Sequence, residues 1–92
     1  MATNGAVSGV WEEWLSHYIH HCRARLSRAE QAELAAALHR GVRNTQELAK
    51  VVREPVASEG RWLVDFLAGV DDPVVHDALV AEAVARLRRP AG

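Results

Sequence analysis

Side chains with metal-binding chemistry follow one another closely in the first third of the chain. They lie in the segment His17-Tyr18-Ile19-His20-His21-Cys22. His17 and His21 are four residues apart, a spacing that places two imidazoles on one face of a helix, where both can bind one metal ion. Cys22 falls on the apolar side of the same helix, where a free cysteine is usually a small core residue.

A complete metal site would need a third ligand, which His39 or His76 would have to supply from elsewhere in the chain. Zinc-protease helices also carry a glutamate directly after the first histidine, and Tyr18 stands at that position here. We therefore interpret the histidines as solvated or partly buried side chains. The sequence predicts no metal and no other cofactor.

Nucleophilic and phosphate-transfer chemistry has less support still. The serines lack a glycine-flanked elbow, and Ser27 and Ser58 stand where helix caps are expected. The six glycines are scattered along the chain, so no phosphate-binding loop is present. Carboxylates such as Asp71 and Asp72 lie near predicted helix ends, where capping and the helix dipole account for them. We therefore predict a protein that is not an enzyme.

Size and composition indicate a single small domain. The chain has 92 residues, of which 49% are hydrophobic and 25% charged, and its net charge is −1. That charge removes the general electrostatic case for binding nucleic acid or a membrane surface, although a local basic patch stays possible. Cys22 is the single cysteine, which excludes an internal disulfide and fits a reducing compartment. Without a signal peptide or a long apolar run, we expect a cytoplasmic protein.

The predicted domain spans residues 9–89, with a flexible tail at 1–8 and the start of a linker or tail at 90–92. Its first helix runs from about Val10 to Leu26. The apolar residues of that helix cover an arc of roughly 140°: Trp11, Trp14, Leu15, Tyr18, Ile19, Cys22 and Leu26. An alanine-rich second helix runs from Arg28 to about Arg40, and a capping box formed by Ser27 and Glu30 opens it.

Three more helices follow with little chain between them. Gly41 ends the second helix, and Asn44 opens a third with Glu47 placed to close a capping box. Pro55 stops that helix by about Arg53. Ser58 caps a fourth, from about Glu59 to Ala68, whose inward side chains are predicted to be Trp62, Leu63, Phe66 and Leu67.

The fifth helix opens at Asp72-Pro73 and runs to about Arg89, and a break near Ala81 would divide it in two. No segment alternates with the two-residue period of a strand. The predicted fold is therefore an all-α, compact antiparallel bundle of five or six helices.

Charged residues are distributed unevenly along these helices. Glu12, Glu13 and Asp65, on the first and fourth helices, can form an acidic face. Arg43, Lys50 and Arg53, around the second and third helices, can form a basic face. Opposite charges on two faces of one small bundle permit head-to-tail self-association. The alternative is that these residues are ordinary solvated charges.

The stretch from about Leu34 to Leu87 resembles a caspase recruitment domain (CARD) of the death-fold superfamily. The matching segments are LHRGVRNTQELAKVVREP and RWLVDFLAGVDDPVVHDALVAEAV. In that family an apolar helix ends in a Gly-Val step, as at Gly41-Val42, and a capped helix follows, as at Asn44. A later helix carries a Leu-x-x-Leu-like core, and the next helix begins after a turn containing Gly or Pro, as at residues 69–73.

The resemblance implies a death fold that recruits or oligomerises an effector by homotypic contacts. In the family, the surface of helices one and four meets the surface of helices two and three on a neighbouring subunit. The abundance of Ala, Arg and Val is typical of a GC-rich bacterial source, where CARD-like modules belong to immune systems that activate proteases or pore-forming proteins. The implied partner is a protein, either a second copy or an effector in the same chain or operon.

A second family resembles part of the same segment. LSRAEQAELAAALHRGVRNTQELAKVV is similar to the first two helices of response-regulator helix-turn-helix domains. The next helix of such a domain reads the major groove with outward Lys, Arg, Asn or Gln side chains. The corresponding helix here offers Glu59, Arg61 and Asp65, which makes DNA binding the weaker interpretation.

Overall fold

Turn and cap residues divide the chain into five helices. The computed structural model describes the backbone of residues 2–89 and the side chains of residues 9–89. The helices are α1 (Ala2–Arg25), α2 (Arg28–His39), α3 (Thr45–Val51), α4 (Glu54–Ala68) and α5 (Pro73–Arg88). No strand occurs among these residues, and the radius of gyration of 12.7 Å is close to the roughly 12 Å of a compact domain this long. The predicted all-α bundle is confirmed, with five helices of the five or six expected.

Both ends of α2 are capped as the sequence predicts. The Ser27 hydroxyl accepts a hydrogen bond from the Glu30 amide at 3.1 Å, and the Glu30 carboxylate accepts one from the Ser27 amide at 2.8 Å. At the other end Gly41 adopts a φ of 98°, which favours glycine. The Val42 amide then donates to the Ala37 carbonyl, and the Gly41 amide donates to the Leu38 carbonyl. This Schellman arrangement ends α2 and turns the chain towards α3.

The caps of α3 and α5 are also confirmed, with one change of partner. The Asn44 side chain accepts from the Glu47 amide at 2.9 Å. The Glu47 carboxylate binds the Arg43 amide at 2.8 Å instead of the Asn44 amide, so the reciprocal bond lies one residue earlier than in a capping box. Asp72 accepts from the first amides of α5, and Pro73 occupies its first turn.

The start of α4 differs from the prediction. α4 begins at Glu54, and Pro55 lies in its first turn. A proline is tolerated there because a first-turn amide has no partner within the helix. Pro55 therefore opens α4, with Arg53 in the cap position, as well as separating it from α3. The predicted cap at Ser58 is wrong, since Ser58 lies inside the helix.

Two other boundaries were tested by the structure. α1 begins at Ala2, where the sequence predicts its start at about Val10, so residues 2–8 are helical. No proline interrupts that stretch, and a helix extends from an existing end more easily than it nucleates. α5 continues through Ala81 without a break. The predicted linker at residues 90–92 lies outside the described residues.

The core is apolar and draws on all five helices. The predicted arc of α1 is confirmed, because its members are buried except for Trp14, which is partly exposed. α2 makes its most extensive contact with α5. Small buried side chains such as Ala35, Ala37 and Ala83 let neighbouring helix axes approach closely.

α4 lies close to both α2 and α3 at Gly60. This glycine is buried, and a Cβ atom built on it would lie 2.7 Å from Leu34 Cδ1 and 3.0 Å from Leu48 Cδ2. Both leucines are themselves fully buried. The missing side chain of Gly60 is therefore the space into which Leu34 and Leu48 pack.

Packing at Gly60 also determines which side of α4 faces outwards. Val56, Gly60, Leu63 and Leu67 form its buried seam. Trp62 lies roughly 130° around the helix from that seam and is 54% exposed, so its predicted inward position is wrong. Val51 of α3 is likewise 48% exposed, because this seven-residue helix buries a single side chain, Leu48.

We expect Gly60→Ala to lower the free energy of unfolding by about 1 kcal/mol, because overpacking against Leu34 and Leu48 outweighs the better helix propensity of alanine. Urea denaturation followed by circular dichroism measures this change. Gly9→Ala is the matched control, since nothing lies within 4 Å of its Cβ position on α1. The control is expected to raise stability by about 0.5–1 kcal/mol. A stabilising effect at Gly60 would contradict the packing described here.

Candidate interaction surfaces

The histidine segment separates into two sides of α1. His17, His20 and His21 are exposed, whereas Cys22 is fully buried. His21 Nε2 lies 2.7 Å from Glu59 Oε1 on α4. Within residues 2–89, no group of three or more His, Cys, Asp or Glu side chains is placed to hold a metal ion. This His21–Glu59 contact is an ion pair or hydrogen bond that joins α1 to α4.

Glu59 joins the same two helices a second time. The Tyr18 hydroxyl donates to the Glu59 backbone carbonyl at 2.7 Å. Burial raises the pKa of the Tyr18 phenol far above its usual range, with smaller contributions from Cys22 and Glu59. Tyr18 therefore stays protonated and keeps donating. Because Glu59 is bound to Tyr18 and His21, it is a structural residue and not a free charge of the acidic face.

Burial also governs the chemistry of the lone thiol. It raises the pKa of Cys22 to about 11, and Glu59 adds to this while the hydrogen bond with Tyr18 opposes it. The reactive species of a cysteine is the thiolate, which is scarce at neutral pH when the pKa is high. Cys22 in this position is a core residue.

All three predicted acidic residues lie at the surface, on helices that contact each other. Glu12 and Glu13 are exposed on α1, and Asp65 is exposed on α4. Ser16, one turn after Glu12, is contacted by Arg86 of α5 at 3.4 Å, so Glu12 lies towards α5. Asp65 borders a shallow depression together with Thr45 at the start of α3. The three residues are therefore spread over a wide area, from the α5 side of α1 to the α3 side of α4.

The predicted basic residues are exposed too, but they differ in what they contact. Arg43 lies in the α2–α3 loop, and Lys50 lies on α3, where it shares a surface cavity with Arg40 and Glu47. Neither the Arg43 nor the Lys50 side chain forms an ion pair with a described residue. These two guanidinium and ammonium groups are free to meet carboxylates on a partner.

Arg53 has an internal partner that sequence reasoning missed. Its terminal guanidinium nitrogen lies 2.9 Å from Glu33 Oε1, its Nε donates to the same oxygen at 3.0 Å, and its backbone amide donates to Oε2 at 2.9 Å. These bonds, the backbone one first, lower the pKa of the Glu33 carboxyl. Arg53 thus fastens the start of α4 to α2, twenty residues earlier in the chain. No sequence signal marks this pairing, because Glu33 reads as an ordinary polar position of α2.

Trp62 adds an exposed aromatic group beside Asp65. The Arg61 guanidinium lies 4.9 Å from the centre of its ring. Trp62 also borders a surface cavity of about 360 Å³ with Trp14, His17, Tyr18 and His21. Behind it, Trp14 stacks on Tyr18 at 5.1 Å and on Phe66 at 4.5 Å. An aromatic band therefore runs from the core to the surface between α1 and α4, and its outer end is Trp62, which was predicted to point inwards.

An apolar groove lies near the α4–α5 turn. Its volume is about 470 Å³, and it is lined by Val10, Trp11, Phe66, Gly69, Val70, Val75 and Leu79. The Trp11 Nε1 atom is buried without a hydrogen-bond partner among the described residues. Burying an unpaired donor costs free energy, so this end of the core is less well satisfied than the rest.

Comparisons with known proteins do not assign the chain to a family. No family model, no curated protein and no solved structure matches it. The resemblance to caspase recruitment domains and the resemblance to helix-turn-helix domains therefore both remain predictions. Within residues 2–89, no helix has the length and apolar character needed to cross a membrane.

The Glu33–Arg53 contact predicts a specific dependence of stability on pH. Because the pKa of Glu33 is lowered in the folded state, its contribution is present above the usual glutamate pKa of about 4.3. That contribution is lost as pH falls through the lower folded-state value. We expect Glu33→Gln to be less stable than the parent at pH 7, and the difference to shrink as pH falls from 5 to 3. Urea denaturation at several pH values measures this, and a difference independent of pH would contradict it.

The burial of Cys22 predicts slow thiol chemistry in the native state. We expect Ellman's reagent at pH 8 to label Cys22 far more slowly than it labels the denatured chain, because the thiol is buried and mostly protonated. Absorbance at 412 nm, with and without denaturant, measures the two rates. Equal rates would show that Cys22 on α1 is accessible to solvent in the native state.

Proposed function

We propose that this bundle is a non-enzymatic interaction module that associates through homotypic, CARD-like contacts and so recruits or oligomerises an effector. The observation that carries the proposal is the state of the six predicted charges. All six are exposed, and five of them form no ion pair among the described residues: Glu12, Glu13, Asp65, Arg43 and Lys50. Free charges of opposite sign on different helices are what head-to-tail association requires.

The charged pairs alone would give weak binding, and we infer that burial of Trp62 supplies the additional binding energy. An exposed ion pair contributes about 0–1 kcal/mol, so two or three such pairs steer and orient a contact more than they hold it. Aromatic side chains that become buried at the centre of an interface often contribute most of the binding energy. Trp62 lies one turn from Asp65, already 54% exposed and backed by the Trp14 stack. We infer that Trp62 is the apolar centre of the acidic face.

Arg53 has a different role from the other basic residues in this proposal. Its side chain and its backbone amide both bind the Glu33 carboxylate, so reversing its charge would place two carboxylates together at the start of α4. Such a variant would lose stability whether or not Arg53 meets a partner. Lys50 and Arg43 are therefore the residues through which the basic face is tested.

The wider role follows from the resemblance and not from the fold alone. A death-fold module of the CARD kind acts beside an effector such as a protease, in the same chain or the same operon. A cytoplasmic role in bacterial immunity or regulated cell death is the setting that the resemblance implies. The exposed charges on α1, α3 and α4 support this setting, because the family that the chain resembles assembles through the corresponding helix surfaces.

We expect Asp65→Lys and Lys50→Glu each to weaken self-association about tenfold, because each puts like charges opposite one another. Sedimentation velocity over a concentration series, at 50 and 500 mM NaCl, measures the association. Higher salt is expected to weaken the parent as well, since exposed charges are screened. Mixing the two variants is expected to restore association in part, because the reversed charges then face each other.

The control for this experiment is Asp77→Lys. Asp77 is an exposed carboxylate on α5 that belongs to neither face, and its side chain is 82% exposed. A monomeric parent at millimolar concentration would contradict the proposal. An equal effect of Asp77→Lys would show that net charge, and not these faces, controls association. Trp62→Ala, with the fold checked by circular dichroism, tests the apolar centre separately.

A further inference from the structure

Basic side chains gather at one end of the bundle, away from the predicted faces. Of the eleven basic residues, six lie in two short segments that contain no acidic residue, 23–28 and 86–89. α1 ends, α2 begins and α5 ends at this place. The net charge of −1 therefore conceals a strongly cationic end.

The arginines surround a partly enclosed cavity of about 450 Å³. Arg23 comes from α1, Arg28 from the start of α2, and Arg88 and Arg89 from the end of α5. None of the four forms an ion pair with a described residue. The volume lies within the roughly 300–1,000 Å³ of small-molecule sites, and guanidinium groups bind phosphate in bidentate fashion.

Gln31 adds an amide side chain to the lining of this cavity. It is 7% exposed and is the buried polar residue of the described core. Its Nε2 donates to the Leu26 carbonyl at 3.0 Å, while its side-chain oxygen accepts no hydrogen bond from a described residue. The residue lines the cavity beside Leu26 and Leu87. An amide set among apolar side chains can recognise the polar edge of a ring that packs there.

The start of α2 adds further donors. The Arg28 and Ala29 amides have no acceptor among the described residues, whereas the Glu30 amide is bound by Ser27. Free amides at a helix N-terminus attract anions. The Glu30 carboxylate opposes this, but it is held by the Ser27 amide at 2.8 Å. The balance of four arginines against one engaged carboxylate is positive.

We propose that this cavity binds a phosphorylated small molecule of the nucleoside diphosphate class. The four arginines and the first amides of α2 bind the phosphates, because a diphosphate offers enough oxygens for several bidentate contacts. Gln31 and the apolar floor receive the base. The site shares no residue with the acidic or basic face, so it stands or falls independently of the proposed self-association.

The alternative is that the arginines serve only the helix ends. α1 and α5 both end here, and cations near a helix C-terminus are stabilising by about 0.3–1 kcal/mol each. That role explains Arg23 and Arg88. It does not explain Arg28, because Arg28 lies at the N-terminus of α2. The helix dipole is positive there, so a cationic side chain is unfavourable unless an anion is bound.

The test is titration of the ¹⁵N-labelled full chain with ADP, GDP, CDP and UDP, followed by ¹H–¹⁵N correlation spectra. Pyrophosphate, adenosine and a single-stranded oligonucleotide are titrated in parallel. We expect at least one nucleoside diphosphate to shift amide signals of residues 23–32 and 86–89, to bind more tightly than pyrophosphate, and to weaken as salt rises.

Arg28→Ala and Arg23→Ala are each expected to weaken binding about tenfold or more, since each removes charge-assisted hydrogen bonds. Arg25→Ala is the matched control, because Arg25 is exposed at the same end of α1 but does not line the cavity. Arg28→Lys, which keeps the charge and loses the planar fork, is expected to restore part of the affinity. Circular dichroism confirms that each variant is folded.

Four results would overturn the proposal. Absence of any shift with all four nucleotides would show that the arginines serve only the helix ends. Equal loss in Arg25→Ala and Arg28→Ala would show diffuse attraction without a site. Equal affinity for pyrophosphate and the nucleotides would show that Gln31 receives no base. Tighter binding of the oligonucleotide, lost in Arg28→Ala, would assign the cavity to a nucleic-acid backbone instead.

Discussion

The close approach of α4 to α2 and α3 at Gly60 is the constraint on which the other contacts depend. Leu34 and Leu48 fill the space that a side chain at this position would take. With α4 held there, Glu59 meets α1, and Phe66 reaches the tryptophans of the same helix. The same placement turns Trp62 and Asp65 outwards, so the exposure of these two residues is a consequence of packing at one glycine.

Local chemistry explains why most helix boundaries could be predicted from the sequence. A cap or stop residue affects the backbone only a few positions away, so its effect can be recognised in the sequence. The examples here are Ser27 with Glu30, Gly41, and Asp72 before Pro73. Pro55 stops α3 as predicted, but the sequence did not indicate that it also opens α4, because a proline can end one helix or begin another and its neighbours do not decide between the two roles. The inward prediction for Trp62 failed for another reason: an amphipathic pattern gives the period of a helix, but the neighbouring helices decide where the buried arc is centred.

For the candidate interaction residues, the sequence predicted which side chains are exposed but not which of them form ion pairs within the bundle. That six charged residues lie at the surface followed from their types, since such residues are rarely buried. Which of them are free did not follow. Arg53 binds Glu33, which is 20 residues away in the sequence, and His21 contacts Glu59, which is 38 residues away. Sequence patterns near one residue carry no information about a partner so distant. For this reason Arg53, a predicted interface charge, was not recognised as a residue that joins α4 to α2.

Net charge was a weaker guide than the direction in which helices run. α2 begins at the arginine-rich cavity and ends at His39, shortly before the loop that carries Arg43. Twelve residues at about 1.5 Å each separate these ends by roughly 18 Å, which exceeds the screening length of about 8 Å at physiological salt. The two basic regions therefore act as separate electrostatic surfaces. An overall charge of −1 excludes neither of them, because screening makes each region respond to its own neighbours.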